Sequence, residues 1–132
     1  MNTLRDETYG IGKEIELFSK LKELHGSTLI KTPNKYSSFD FENDNCVIEL
    51  KSRRNTKNAY PTTMVGFNKI LKANKENRDV YFYFNFTDGL YRWKYDPEQV
   101  NTFAQGKGGR SDRGCVEMNT YTYIPVKNLV LC

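Results

Sequence analysis

At 132 residues, with 38% hydrophobic and 27% charged side chains, the chain is sized for one domain with its own core, and its composition excludes a disordered segment. A net charge of +4 admits a polyanionic partner without requiring one, and no stretch nears the roughly 20 apolar residues of a membrane span. Three widely spaced cysteines, Cys46, Cys115 and Cys132, with His25 as the single histidine, exclude a zinc ribbon or finger on ligand count.

An odd, sparse cysteine set fits reduced thiols in a cytoplasm-like compartment, with Cys46 packed as a small apolar residue. The first residues, from Met1 to Asp6, lack an apolar run, so no secretory address and no membrane association are expected.

Residues 7 to 25 form an expected helix. Ile11, Ile15, Phe18 and Leu21 fall at helical spacing, Leu17 and Leu24 widen the apolar face, and Gly26 closes it. Residues 28 to 32 read as a short strand and Pro33-Asn34 as a break. Tyr36 to Phe41 reads as a second strand, Asn43-Asp44-Asn45 as a tight turn, and Cys46 to Arg53 as a third strand, which together make a hairpin.

Pro61 then opens a second helix, with Met64, Phe67 and Leu71 on one stripe and Ile70 beside it, ending near Lys75. The aromatic, β-branched run Asp79 to Phe86 is strand, and Asp88-Gly89 turns it into Leu90 to Tyr95. Pro97 to Phe103 has room for one or two helical turns. Gly106 to Gly114 reads as a Gly/Arg/Lys loop, and Cys115 to Leu131 alternates like an edge strand that Pro125 interrupts. The order places a mixed sheet under helices, in the α/β or α+β class.

One run carries chemistry. Asp40 stands between Phe39 and Phe41, and nine residues later comes Glu49-Leu50-Lys51, the single Asp/Glu-x-Lys triplet in the chain. In a strand alternate side chains share a face, so Val47, Glu49 and Lys51 lie together while Cys46, Ile48 and Leu50 turn to the core. Glu49 and Lys51 are then about 7 Å apart along the strand. Hairpin pairing can bring the Asp40 carboxylate, from the opposite face to its two phenylalanines, beside Glu49.

Two hard oxygen ligands, a backbone carbonyl such as that of Leu50, and waters suit Mg²⁺, for which Mn²⁺ substitutes. A lysine beside such a cation orients the attacking water and offsets charge on a phosphate, which is the equipment for phosphodiester hydrolysis. The plain alternative is a solvated strand face on which Glu49 and Lys51 form surface pairs. Glu14 interrupts the apolar stripe of the first helix, where an unpaired buried carboxylate costs several kcal/mol. A cation would relieve that cost, and a helix edge would avoid it.

Asp40, Glu49 and Lys51 resemble the PD-(D/E)xK nuclease superfamily, of restriction-endonuclease-like fold, which includes Holliday-junction resolvases and small phage nucleases. Phe39 stands where the name-giving proline would be. The resemblance covers a core of about residues 7 to 86 in the order α-β-β-β-α-β, leaving about 88 to 132 as a C-terminal β extension of one domain over 1 to 132. It implies Asp40 and Glu49 as metal ligands, Lys51 as the catalytic lysine, and Glu14 as the acidic residue many members carry on the first helix. Lys69 or Asn68 matches more loosely a residue that some members use on the second helix. An exposed lysine among Lys72 and Lys75 is the simpler reading of Lys69.

Arg53, Arg54 and Lys57 continue from the strand of Glu49 and place cations where a nucleic-acid backbone would lie; Arg110 and Arg113 belong to a cationic glycine-rich loop suited either to wrapping a strand or to a hairpin tip kept soluble by its charge. Tyr91, Trp93 and Tyr95, at period two, build a sheet face. The expectation is a Mg²⁺-dependent, soluble DNA endonuclease working inside a cell, such as a phage host, and a homodimer would let it cut two strands. The rivals are an RNA nuclease of the same fold and, from a different class, a non-catalytic nucleic-acid-binding module. Gly10-Ile11-Gly12 opens no GxGxxG, so a dinucleotide site is disfavoured.

Overall fold

The computed structural model describes residues 15–33, 39–110 and 117–132. Residues 15–25 are helical (α1), and the chain leaves the helix through Gly26 at φ 112°, where its N–H still reaches the Lys22 carbonyl at 2.8 Å. That left-handed exit is one a glycine takes without strain. The part of the expected helix before residue 15, Glu14 included, lies outside the described residues.

Strands β1 (Ile30–Lys31), β2 (Phe41–Glu42) and β3 (Cys46–Ser52) pair antiparallel in sequence. The β2–β3 turn is built by Asn43, whose side-chain oxygen accepts from the N–H groups of Asn45 and Cys46, both at 2.8 Å. Of the strand expected over Tyr36 to Phe41, 36–38 lie outside the described residues, and Phe39 and Asp40 form a bend ahead of β2. Because of that bend Phe39 and Phe41 do not share a face. Phe39 joins the core with Val47, and Phe41 the one with Ile48.

After β3 the structure departs from the expectation. Pro61 opens no helix: Thr62–Gly66 is a strand (β4), and the helix α2 begins only at Phe67 and runs to Lys75. Of the expected stripe Phe67 packs against the core and Ile70 beside it is buried, but Met64 and Leu71 are both 47% exposed, and Val65 and Ala73 are buried in their place. Two threonines and a valine favour extended backbone, and Gly66 separates the strand from the helix.

Strand β5 (Asp79–Phe86) lies parallel to β3 and turns at Thr87-Asp88 into β6 (Gly89–Lys94). A short α3 (Pro97–Val100) is capped by Asp96, whose carboxylate accepts from the Glu98 N–H at 2.9 Å.

The glycine-rich stretch was expected to be loop, yet Gln105–Arg110 is a strand (β7) paired antiparallel with β8 (Glu117–Pro125). Backbone hydrogen bonds hold glycine in a ladder when a neighbouring strand supplies the partners, and the Tyr123 ring lies over Gly106, where a Cβ would stand 3.2 Å from it. Nor is β8 an edge: it is the middle strand of a three-stranded sheet ordered β4-β8-β7, and β9 (Val130–Leu131) returns to the main sheet.

The main sheet runs β1-β2-β3-β5-β6-β9, so β3 and β5 are central. Both of its faces are covered. Leu21 of α1, Leu29, Phe41, Ile48 and Tyr83 pack on one; Val47, Phe82, Phe84 and Trp93 pack on the other against Val65, Ile70 and Ala73 of β4 and α2 and Ile124 of β8. Burial on both sides explains why Val47 belongs to the core although it shares a face with Glu49.

On the α1 side, the Tyr83 hydroxyl contacts His25 Nε2 at 2.5 Å and accepts from Arg92 at 3.2 Å. Burial pushes its pKa up to about 12. The architecture is a mixed α+β fold with a multistranded sheet and few helices, in keeping with the restriction-endonuclease-like class.

Phe82 has no exposed surface and packs against Trp93 with ring centroids 5.6 Å apart and the rings tilted by 31°. Phe82→Ala is expected to cost about 3–5 kcal/mol, the range for emptying a buried aromatic site. Urea denaturation measures it, and a loss below about 1 kcal/mol would show that this core collapses around the cavity.

Candidate active site

Strand β3 carries Glu49 in the interior of the sheet, and α2 approaches the same face because β4 leads into it there. Glu49 is 4% exposed. Its Oε1 lies 3.5 Å from the Lys51 ammonium and its Oε2 lies 3.2 Å from that of Lys69.

Asp40 reaches the site from the bend ahead of β2. Its N–H donates to the Ile48 carbonyl at 2.8 Å, and its Oδ2 accepts from the Leu50 N–H at 2.8 Å. A side-chain oxygen here continues the β2–β3 ladder past the point where backbone pairing stops. The Leu50 carbonyl leaves the strand on the same side as its N–H, toward Asp40.

Within this group the charges do not balance at Glu49. Burial, and then the Asp40 charge, raise the Glu49 pKa above the ordinary carboxylate range; Lys69 and Lys51 offset part of the rise. Oε2 is buried and has no hydrogen bond of good geometry, although the Lys69 ammonium stands at ion-pair distance from it. A cation in the first turn of a helix is also opposed by the helix dipole, so Lys69 and Glu49 each relieve a strain in the other.

Among the described residues no cluster of three or more His, Cys, Asp and Glu side chains gathers. Among the described residues the donors at hand for a cation are the pair Asp40 and Glu49 with the Leu50 carbonyl. That set fits Mg²⁺, which is commonly held by one or two carboxylates and keeps several waters. An anion short of hydrogen bonds beside a second carboxylate is what such an ion would compensate.

Asp40, Glu49 and Lys51 thus come together as the spacing implied. Lys69 joins them, and an exposed helix lysine is not what the structure shows: it is 25% exposed and faces Glu49. The signal for it lay in the start of the helix. A helix opened at Pro61 puts Lys69 in its third turn, whereas one opened after Gly66 puts it in the first, next to the sheet.

The cations expected to meet nucleic acid divide. The Arg53 guanidinium is committed within the chain, donating from Nε to Thr63 Oγ1 at 3.2 Å and from Nη2 to the Met64 carbonyl at 2.6 Å. Arg54 is exposed, and the Lys57 ammonium lies over the Tyr91 ring at 5.1 Å. Arg110 ends the strand β7, and Arg113 lies outside the described residues. Trp93 is buried, with Tyr91 and Tyr95 packed against the same core, as a sheet face requires. No described helix is long and apolar enough to cross a membrane.

No curated protein and no solved structure matches the chain. A family model does, described as "Phage putative PDDEXK endonuclease", and it matches residues 5–130. That span takes in Asp40, Glu49, Lys51 and Lys69 together with both sheets, and the chain belongs to this phage PDDEXK endonuclease family.

Proposed function

We propose that the protein is a Mg²⁺-dependent endonuclease that hydrolyses phosphodiester bonds of DNA, with Asp40, Glu49 and the Leu50 carbonyl holding the cation and Glu14, next in sequence before the described helix, as a further candidate ligand. The observation that carries this reading is the buried Glu49 carboxylate, held between two lysines, with Asp40 tied beside it by the Leu50 N–H. A surface pair would leave these groups to water. A divalent cation, when bound, supplies Lewis-acid charge to the scissile phosphate and acidifies water.

The chain's own groups do the rest. Asp40 is fixed by the backbone and needs no reorganisation to present its free oxygen. Lys51, 40% exposed, is the ammonium that reaches a phosphate and stabilises the charge growing on it. Lys69 keeps Glu49 oriented and partly neutralised. Arg54 and Lys57, beyond the end of β3, supply salt-sensitive affinity for the backbone of the nucleic acid.

Supercoiled plasmid, branched DNA and single-stranded RNA, each with Mg²⁺, Mn²⁺ or EDTA, test this directly. Cleavage of DNA that EDTA abolishes is expected, and no metal-dependent cleavage of any substrate would sink the reading. Cleavage of RNA alone would move the assignment to the RNA nuclease.

The ligand role has a test without substrate. Saturating Mn²⁺ stabilises a protein that binds it only when folded, by about 2.7 kcal/mol at a hundred times Kd. Asp40→Asn is expected to remove most of that shift in thermal denaturation. A variant that keeps the full shift would take Asp40 out of the ligand set.

A further inference from the structure

Arg53 stands two residues beyond Lys51 and four beyond Glu49, so all three side chains leave β3 on one face. Its N–H prolongs the ladder to β5, donating to the Asn85 carbonyl at 2.9 Å. Its guanidinium is half-buried over the Phe84 ring, at 5.7 Å from the centroid, and spends two donors on β4, one on Thr63 Oγ1 and one on the Met64 carbonyl. Among the described residues no carboxylate pairs with it. Burial makes its charge harder to keep.

An apolar side chain would join two elements at lower cost. What a guanidinium adds is a planar fork with directed donors, which fixes angle and distance together.

The strand so gripped is the one that runs into α2. Met64 is followed by Val65, by Gly66 as the N-cap and by Phe67 as the first helical residue; Lys69 comes two residues later with its ammonium on Glu49 Oε2. The chain therefore closes a circuit: from Glu49 along β3 to Arg53, across to β4, through α2 to Lys69 and back to Glu49. Arg53 and Lys69 are its two polar crossings.

We infer that Arg53 is a positioning residue: by clamping β4 to the end of β3 it determines where α2 holds Lys69 over Glu49, and so how strongly that ammonium competes with a divalent cation for the carboxylate. The metal-affinity part rests on the reading of Glu49 as a ligand; the clamp does not.

Three roles for Arg53 give different signs. If it positions Lys69, releasing the clamp lets the ammonium drift from Oε2, so Mn²⁺ binds more tightly while kcat falls, because the carboxylate loses its partner. The gain in affinity is up to about thirtyfold, the effect of one unit charge on a divalent cation ~4 Å away in a water-like dielectric. If Arg53 only stabilises the fold, the melting temperature falls and Mn²⁺ binding is unchanged or weaker. If it contacts phosphate, KM rises, the salt slope of binding falls by about one, and kcat and Mn²⁺ affinity stay the same.

The experiment uses Arg53→Met and, as the milder change, Arg53→Lys, each alone and combined with Lys69→Met. Crystal structures of the metal-free proteins read the Lys69–Glu49 contact, and calorimetric titration reads Mn²⁺. The expected result is a contact kept in the parent and lost in Arg53→Met, with tighter Mn²⁺ binding that disappears in the Lys69→Met background, since residues acting through one another are not additive. A contact unchanged in both Arg53 variants overturns the proposal, and so do additive effects on Mn²⁺ affinity. A parent that shows the contact, loses it on substitution and binds no Mn²⁺ would overturn the metal site and leave the clamp standing.

Discussion

Glu49→Gln is expected to abolish metal-dependent cleavage and, in the same protein without metal, to raise stability at neutral pH. The two effects share one cause. The carboxylate is 4% exposed, and burial and Asp40 together raise its pKa above that of an unfolded glutamate, near 4.5. Its neutral form is thus favoured in the folded state. The stability that Glu49 contributes is fully present below about pH 4.5 and is lost as pH rises through the folded-state value, when the buried group ionises. At neutral pH the metal-free wild type bears that cost, and an uncharged amide of nearly the same shape does not.

Lys51 and Lys69 lose a partner in the variant, but both retain solvent access, at 40% and 25%, and can turn to water. The amide also lacks the charge a cation requires, so cleavage should fall by more than about a hundredfold, the upper range for removing a mere outer-shell partner. Denaturation of both proteins across a pH series without metal, and cleavage rates with Mg²⁺, make the measurement. A variant less stable than wild type at neutral pH would show that the two lysines more than offset the desolvation of Glu49, and the description of the site as an anion awaiting a cation would fail.

Lys51→Ala should have the second largest effect, and on chemistry alone. The side chain is among the more exposed of the site and lies 3.5 Å from Glu49 Oε1. Removing it opens no cavity and strands no buried partner that Lys69 does not also serve. Stability should stay within about 0.5 kcal/mol of wild type, as for surface substitutions generally. What is lost is the ammonium facing the phosphate, whose charge grows in the transition state. Deleting one such preorganised group typically lowers kcat by about 10²–10³-fold.

Nucleic-acid binding in EDTA, measured by fluorescence anisotropy, should be nearly unchanged, because Arg54 and Lys57 carry that affinity in this reading. If Lys51→Ala cuts at the wild-type rate, the catalytic lysine is misassigned and Lys69 becomes the candidate. If kcat holds and KM rises, the ammonium binds substrate uniformly and does not favour the transition state.

Local chemistry made much of this protein legible before any coordinates. Asp79 to Phe86 could hardly be other than strand, Asn43 to Asn45 announced a turn, Gly26 its helix exit and Pro97 a short helix. The pair Asp40 and Glu49 and the neighbouring Lys51 followed from a period of two in one strand and a hairpin joining it to its neighbour. These features depend on residues within about ten positions of each other, where backbone preference and side-chain spacing suffice.

The misreadings have the opposite character. Thr62–Gly66 and Gln105–Arg110 are strands because β8 lies between them, and β8 arrives from far along the chain. The threonines and valine of the first lean toward extended backbone without deciding it, and the glycines of the second carry no such lean; the hydrogen bonds that decide both come from a partner no local pattern names. The misplaced start at Pro61 then carried into the site, since a helix begun six residues early takes Lys69 out of the first turn, where it meets the sheet.

Composition and spacing by themselves determined a globular chain with two carboxylates and a lysine on adjoining strands. Only the tertiary structure decided that Glu49 is buried, that Lys69 completes its surroundings and that Arg53 grips β4. Burial and long-range pairing belong to the packing of elements distant in sequence, and a spacing rule reaches no further than the strand in which it is read.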